Sequence, residues 1–185
     1  MRTLIVSEFI SLDGVVDSPG GGSHPHAGWT FKDVEFNEAA YELKDREQQA
    51  ATALLIGRQS YHEFAPVWPQ MEEFAEYNAM PKYVVSSTLT EPEWNNTTVL
   101  RSLDEVAELK AGEGGDILVH GSGTLVKGLL AAGLVDRFHL LVFPVLLGTG
   151  KRLFDDSVGG KSRLRLTEHE AYPNGIVKAV YDVVR

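Results

Sequence analysis

Apolar residues fall along this chain in short runs separated by polar or glycine-rich breaks. The first run covers residues 4–10, carries Glu8 inside it, and ends at the turn-forming pair Asp13-Gly14. Short apolar runs bounded by turn residues predict strands, and the same pattern recurs at 53–56, 83–85, 97–100, 117–119 and 138–143, the last stopped by Pro144. Between these runs the spacing changes to three and four. Phe36, Ala39, Ala40, Leu43 and Ala50 predict a helix over 33–51 with Asp33 as its N-cap. A helical turn falls at 61–64, a helix at 103–110, and another beyond Gly121 on Leu125, Val126, Leu129 and Leu130. Two further runs, 164–172 and 176–184, flank Pro173-Asn174-Gly175 and predict a hairpin. Strands alternating with helices and closing on a hairpin predict an α/β fold, a mostly parallel mixed sheet with an antiparallel edge.

No repeat, low-complexity tract or linker interrupts the 185 residues, so one domain over 1–185 is expected. Residues 17–30, rich in Gly, Pro and His, form a long loop of the kind used as a lid or binding loop. The acids between 33 and 47 read mostly as a solvated helix face. A net charge of −9, from 26 acids and 17 bases with no basic stripe, opposes a nucleic-acid partner. With no cysteine, disulfides and thiolate sites are excluded. The opening run is too short and too interrupted for a signal peptide or membrane span, so a cytoplasmic location is expected. His24-Pro25-His26 has no third ligand nearby, so no metal site is expected.

The candidate chemistry lies where strands end. The run 117–119 stops at His120-Gly121-Ser122-Gly123-Thr124 and helical spacing begins at once. Glycines admit a ligand close to the backbone, and a new helix offers unpaired N–H groups to an anion. A simple corner would use the same glycines. Two other strand ends look alike: Gly57-Arg58-Gln59-Ser60 and Ser86-Ser87-Thr88. Ligands of open α/β sheets bind beyond the carboxyl ends of strands, and an arginine can fork onto phosphate oxygens. A Rossmann fingerprint is excluded, because Val126 stands where its third glycine belongs and no acid follows the next strand. No Gly-Lys-Ser/Thr is present for a P-loop.

Ser11-Leu12-Asp13-Gly14, Gly57-Arg58, Ser86-Ser87, Val119 to Thr124 and Pro144 to Gly150 occur in an order and spacing that span most of the chain. In these pieces the sequence resembles the dihydrofolate reductase-like superfamily, in the branch containing the C-terminal reductase domain of bifunctional riboflavin-biosynthesis proteins. The resemblance implies NADPH bound across the strand ends. Gly57, Arg58 and Ser60 would meet its phosphates, Ser86 and Ser87 its 2′-phosphate, and Gly121, Ser122, Gly123 and Thr124 its pyrophosphate. Leu12, Asp13 and Gly14 would border the nicotinamide, with 17–30 as a mobile lid. Gly121-Ser122 stands where dihydrofolate reductases carry a cis peptide. For the proton and the substrate grip, the resemblance implies an acid on the first helix, Asp33 or Glu35, with Asp13 as a further candidate. Lys151-Arg152 could hold a substrate phosphate or simply face solvent. The implied activity is NADPH-dependent reduction of a small polar heterocycle, a pteridine or a 5-amino-6-ribosylaminouracil phosphate. The alternative is a nucleotide-binding module without catalysis. The resemblance also implies a homodimer, with 138–143 near its interface.

Overall fold

The computed structural model describes residues 1–158 and 160–185. In chain order it forms β1 (Leu4–Ser11), α1 (Trp29–Lys32), α2 (Glu38–Ala50), β2 (Ala51–Gly57), α3 (Arg58–Phe64) and α4 (Ala75–Ala79). It continues with β3 (Lys82–Val85), β4 (Thr97–Leu100), α5 (Leu103–Ala111), β5 (Asp116–His120), α6 (Gly123–Ala131), β6 (Arg137–Phe143), β7 (Arg163–Ala171) and β8 (Val177–Val184). All eight strands join one sheet in the order β4-β3-β2-β5-β1-β6-β8-β7. The pairs from β4 to β6 are parallel, and β8 and β7 close the sheet antiparallel. Six strands therefore deliver their carboxyl ends to the same edge.

Burial on both faces explains why the central strands read as unbroken apolar runs. Leu4, Val6 and Ile10 of β1 pack with Val106 of α5 and Val126 and Leu129 of α6. On the other face Leu54, Ile56 and Leu118 meet Tyr61 of α3 and Tyr77 of α4, while Leu141 and Phe143 meet Trp29 and Leu43. Fully burying one such side chain is worth roughly 1.5–3 kcal/mol.

Several expectations are corrected. Asn37, not Asp33, caps α2 and accepts from the Ala40 amide at 3.3 Å. Asp33 instead closes the short α1, because buried Val34 draws the chain inward between the two helices. Trp29 and Thr30 are thus helical rather than loop. Glu47 is not on a solvated face: it is 4% exposed and lies in the buried stripe of α2 with Ala40 and Leu43. Strand β6 is interior, between β1 and β8, with Phe138, Leu140, Leu141 and Phe143 buried. The edges of the sheet are β4 and β7, and β7 is exposed along most of its length. All described peptide bonds are trans, Gly121–Ser122 included. The stretch before β3 folds into α4, whose last carbonyls accept from buried Lys82: its Nζ lies 3.0, 2.9 and 3.0 Å from the carbonyls of Tyr77, Asn78 and Met80. Among the described residues, no helix is long and apolar enough to cross a membrane.

Candidate active site

The sheet splits at its centre. Strand β5 pairs with β1 only over Leu4 to Ser7, whereas β1 continues along β6 to Ser11. Beyond the Ser7–His120 pair, β5 turns away through Gly121 at φ 61°, a conformation that favours glycine. A Cβ at Gly121 would lie 3.0 Å from the Phe64 ring, so the turn also needs glycine for space. Its geometry is braced by hydroxyls. Ser122 Oγ accepts from the Gly57 amide at 2.9 Å and donates to Ser60 Oγ at 2.9 Å, and Ser60 Oγ donates to the Gly121 carbonyl at 3.2 Å. These contacts join the ends of β2 and β5. The structure thus brings Gly57, Ser60, Gly121 and Ser122 together, but spends both hydroxyls on the brace.

The groups left open are different ones. Arg58, the first residue of α3, is exposed and makes no ion pair among the described residues. Lys151 reaches the same place, its Nζ 2.8 Å from Gln59 Oε1. Thr124 is exposed on the first turn of α6, and Gly123 is buried against Val16. Ser87 is exposed, but Ser86 is buried and its Oγ accepts from the amides of Thr88 and Leu89 to shape the turn after β3. On the other side of the split, Leu12 and Leu146 project at 66% and 73% exposure from adjoining loops and form an apolar lip.

Asp13 stands beside this lip and is fully engaged. Its carboxylate accepts from Ser11 Oγ at 2.6 Å, the Gly148 amide at 2.8 Å and the Leu147 amide at 3.1 Å. The Ser11 hydroxyl, with these amides, holds its pKa down at about 2. Arg152 lies 3.8 Å from it and donates to its carbonyl, so Arg152 is committed to the loop. Asp33 and Glu35 are exposed, and the Glu35 carbonyl accepts from Asn174. The lid region is pinned: Trp29 Nε1 donates to the Asp17 carbonyl, and His24 Nε2 meets the Thr149 carbonyl at 3.0 Å. His24 Nδ1 accepts from the His26 amide, so both ring nitrogens are occupied.

Beneath the split lies a buried polar floor that the sequence pattern did not announce. Ser7 Oγ donates to Glu47 Oε2 at 2.6 Å and accepts from Lys44 Nζ. Glu47 Oε1 holds His139 Nδ1 at 2.7 Å. Burial raises the Glu47 pKa, yet Lys44 and the His139 hydrogen bond outweigh it and leave the acid at about 2. His120 Nε2 is 2.8 Å from Tyr77 Oη, and burial lowers this histidine to about 4. Glu8 is 2% exposed, and its Oε1 has no partner. Burial raises its pKa to about 8, against the pull of Lys44 and the Gly121 backbone. One sequence signal for Glu47 existed: it falls at i+7 from Ala40 and i+4 from Leu43, on the apolar stripe.

The strand order and the terminal hairpin define a dihydrofolate reductase-like α/β domain, split between β1 and β5. The model of the RibD C-terminal domain matches residues 2–178, so the chain belongs to that family. A Bacillus subtilis (strain 168) relative, the uncharacterized protein YyaP, is 29% identical over 189 residues, covering 97% of this chain and 94% of its own. Two solved structures share the fold. One is a protein provisionally assigned to riboflavin biosynthesis from Shewanella sp. PV-4, with TM-score 0.77, 22% identity and 99% coverage of both chains. The other is a pyrimidine reductase-like protein from Corynebacterium diphtheriae, with TM-score 0.66 and 16% identity over 99% of this chain and 92% of that one.

Proposed function

We propose that this protein is an NADPH-dependent reductase of a small polar heterocycle, of the pteridine or 5-amino-6-ribosylaminouracil phosphate kind. One observation carries the reading: the split between β1 and β5 opens between two exposed cations, Arg58 and Lys151, and an apolar lip, Leu12 and Leu146. In a chain of net charge −9, exposed cations at the carboxyl edge suit an anionic ligand. The residues fit a dinucleotide. Arg58, Lys151, Thr124 and the amides opening α6 would hold its phosphates, with Ser87 and Arg58 toward a 2′-phosphate. Leu12 and Gly14 would border its nicotinamide. Bound there, NADPH would supply the hydride; the chain contributes binding, orientation and exclusion of water.

The catalytically silent alternative draws support from the three acids suggested by sequence. Asp13 is locked as an anion, and Asp33 and Glu35 are exposed, so none is suited to deliver a proton. The experiment that separates the readings is loss of dihydronicotinamide absorbance in the presence of dihydrofolate, 7,8-dihydrobiopterin and 5-amino-6-ribosylaminouracil 5′-phosphate. Turnover of any one supports the reductase. Binding of NADPH with no turnover on the panel favours the module.

A further inference from the structure

A reduction of C=N or C=O needs a proton as well as a hydride, and the acids suggested by sequence do not supply it. The buried floor carries further proton-bearing groups. Lys44 of α2 is 14% exposed at its side chain; its Nζ contacts Ser7 Oγ and stands 4.8 Å above the Phe9 ring. Ser7 is the last β1 residue paired with β5, so this ammonium lies at the root of the split. Glu47 Oε2 holds it at 3.6 Å and shares Ser7 at 2.6 Å, and Glu47 Oε1 continues to His139 Nδ1 at 2.7 Å. His139 and Glu47 in turn line a cavity of about 400 Å³, toward the amino ends of β1, β5 and β6. Three hydrogen bonds thus connect the split to a second opening through residues of α2, β1 and β6.

We propose that Lys44 is the proton donor of the reduction, and that Ser7, Glu47 and His139 return a proton to it from this cavity. The inference rests on the reductase reading above. The hydride of NADPH bonds to the carbon of the substrate C=N or C=O, leaving NADP⁺. The electron pair of the broken π bond moves to nitrogen or oxygen, which takes a proton from the Lys44 ammonium. Glu47 takes the Nδ1 proton of His139 on Oε1 and turns it toward Ser7; the Ser7 hydroxyl gives its proton to the neutral amine as it takes that one from Glu47, and His139 is reprotonated from cavity water. The atoms balance as substrate, NADPH and one H⁺ giving reduced substrate and NADP⁺. Two of the other charged groups near the chain are paired. Arg46 forks onto Glu168 at 2.9 and 3.1 Å, and Arg137 is held by Asp182 at 2.7 Å; Asp116 lines the cavity wall.

The test joins turnover to a readout that needs no cofactor. With 7,8-dihydrobiopterin or dihydrofolate as acceptor, Lys44→Met is expected to lower kcat by about 10²–10⁴-fold, with the NADPH Kd by calorimetry changed less than about threefold. His139→Ala, which enlarges the cavity, is expected to slow turnover and to be restored by added imidazole. Independently, the His139 Nδ1 resonance of the cofactor-free protein is expected to move in Lys44→Met, although Lys44 does not touch that ring. An unchanged kcat in Lys44→Met, or an unmoved resonance, overturns the relay and leaves the reductase reading standing. Failure of the native protein to bind NADPH overturns the reading and the relay together.

Discussion

Replacing Glu8 by methionine should stabilise the protein, and by an amount that depends on pH. The carboxyl stands in the row Leu4, Val6, Ile10 of the central strand, is 2% exposed, and leaves Oε1 without a partner. Folded, it keeps its proton up to about pH 8, against an ordinary 4.5. Between those values the folded state binds more protons than the unfolded one, so stability falls as pH rises through this window. At about 1.36 kcal/mol per pH unit, the cost of holding Glu8 neutral at pH 7 is about 3 kcal/mol, and at pH 5 under about 1 kcal/mol. Methionine is similar in volume and unbranched, so repacking costs less than about 1.5 kcal/mol. Glu8→Met should therefore raise the melting temperature by roughly 3–10 °C at pH 7 and by little at pH 5. Thermal unfolding followed by circular dichroism at both pH values is the assay. A pH-independent difference, or destabilisation at pH 7, would refute the assignment of Glu8 as a buried neutral acid.

Lys82→Met should destabilise the fold by roughly 3 kcal/mol or more, because three carbonyls at the end of α4 lose their donor; urea denaturation measures it. Asp13→Asn should loosen the loop that carries Leu147 and Gly148, costing about 1–3 kcal/mol at pH 7. Since the Asp13 pKa is depressed to about 2, its contribution is present above the ordinary carboxylate range and fades as pH falls toward 2, so the two proteins should converge in acid. Ser122→Ala removes the hydroxyl that ties β2 to β5, and should cost about 1 kcal/mol while weakening nucleotide binding more than stability; parallel unfolding and binding titrations separate the two effects.

The fold was legible because strands buried on both faces show as apolar runs, and because glycine and proline marked their ends. Gly121 is an example: its positive φ and its crowding against Phe64 both demand the residue that the pattern singled out. The start of α2 was misjudged because Asp33 and Asn37 are both good caps, and only the burial of Val34 decides between them. The strand-end residues proposed to face phosphate were read from their order along the chain. Their division into bracing hydroxyls, Ser60 and Ser122, and exposed cations, Arg58 and Lys151, depends on which side chains face one another, and spacing does not encode that. The floor was missed for a related reason. Glu47 looked like one more acid on a charged helix until its position on the Ala40–Leu43 stripe was matched to Ser7 and His139, which are 40 and 92 residues away in sequence.

NADPH is proposed to lie in the split beyond β5, held on Arg58 and Lys151. Calorimetric titration of the native protein and of Arg58→Ala with NADPH and NADH tests it most directly. The native protein is expected to bind NADPH at micromolar concentration, about tenfold tighter than NADH (about 1.4 kcal/mol), with that preference lost in Arg58→Ala. Absence of binding for both nucleotides, or an Arg58→Ala variant that binds NADPH as the native protein does, would contradict it.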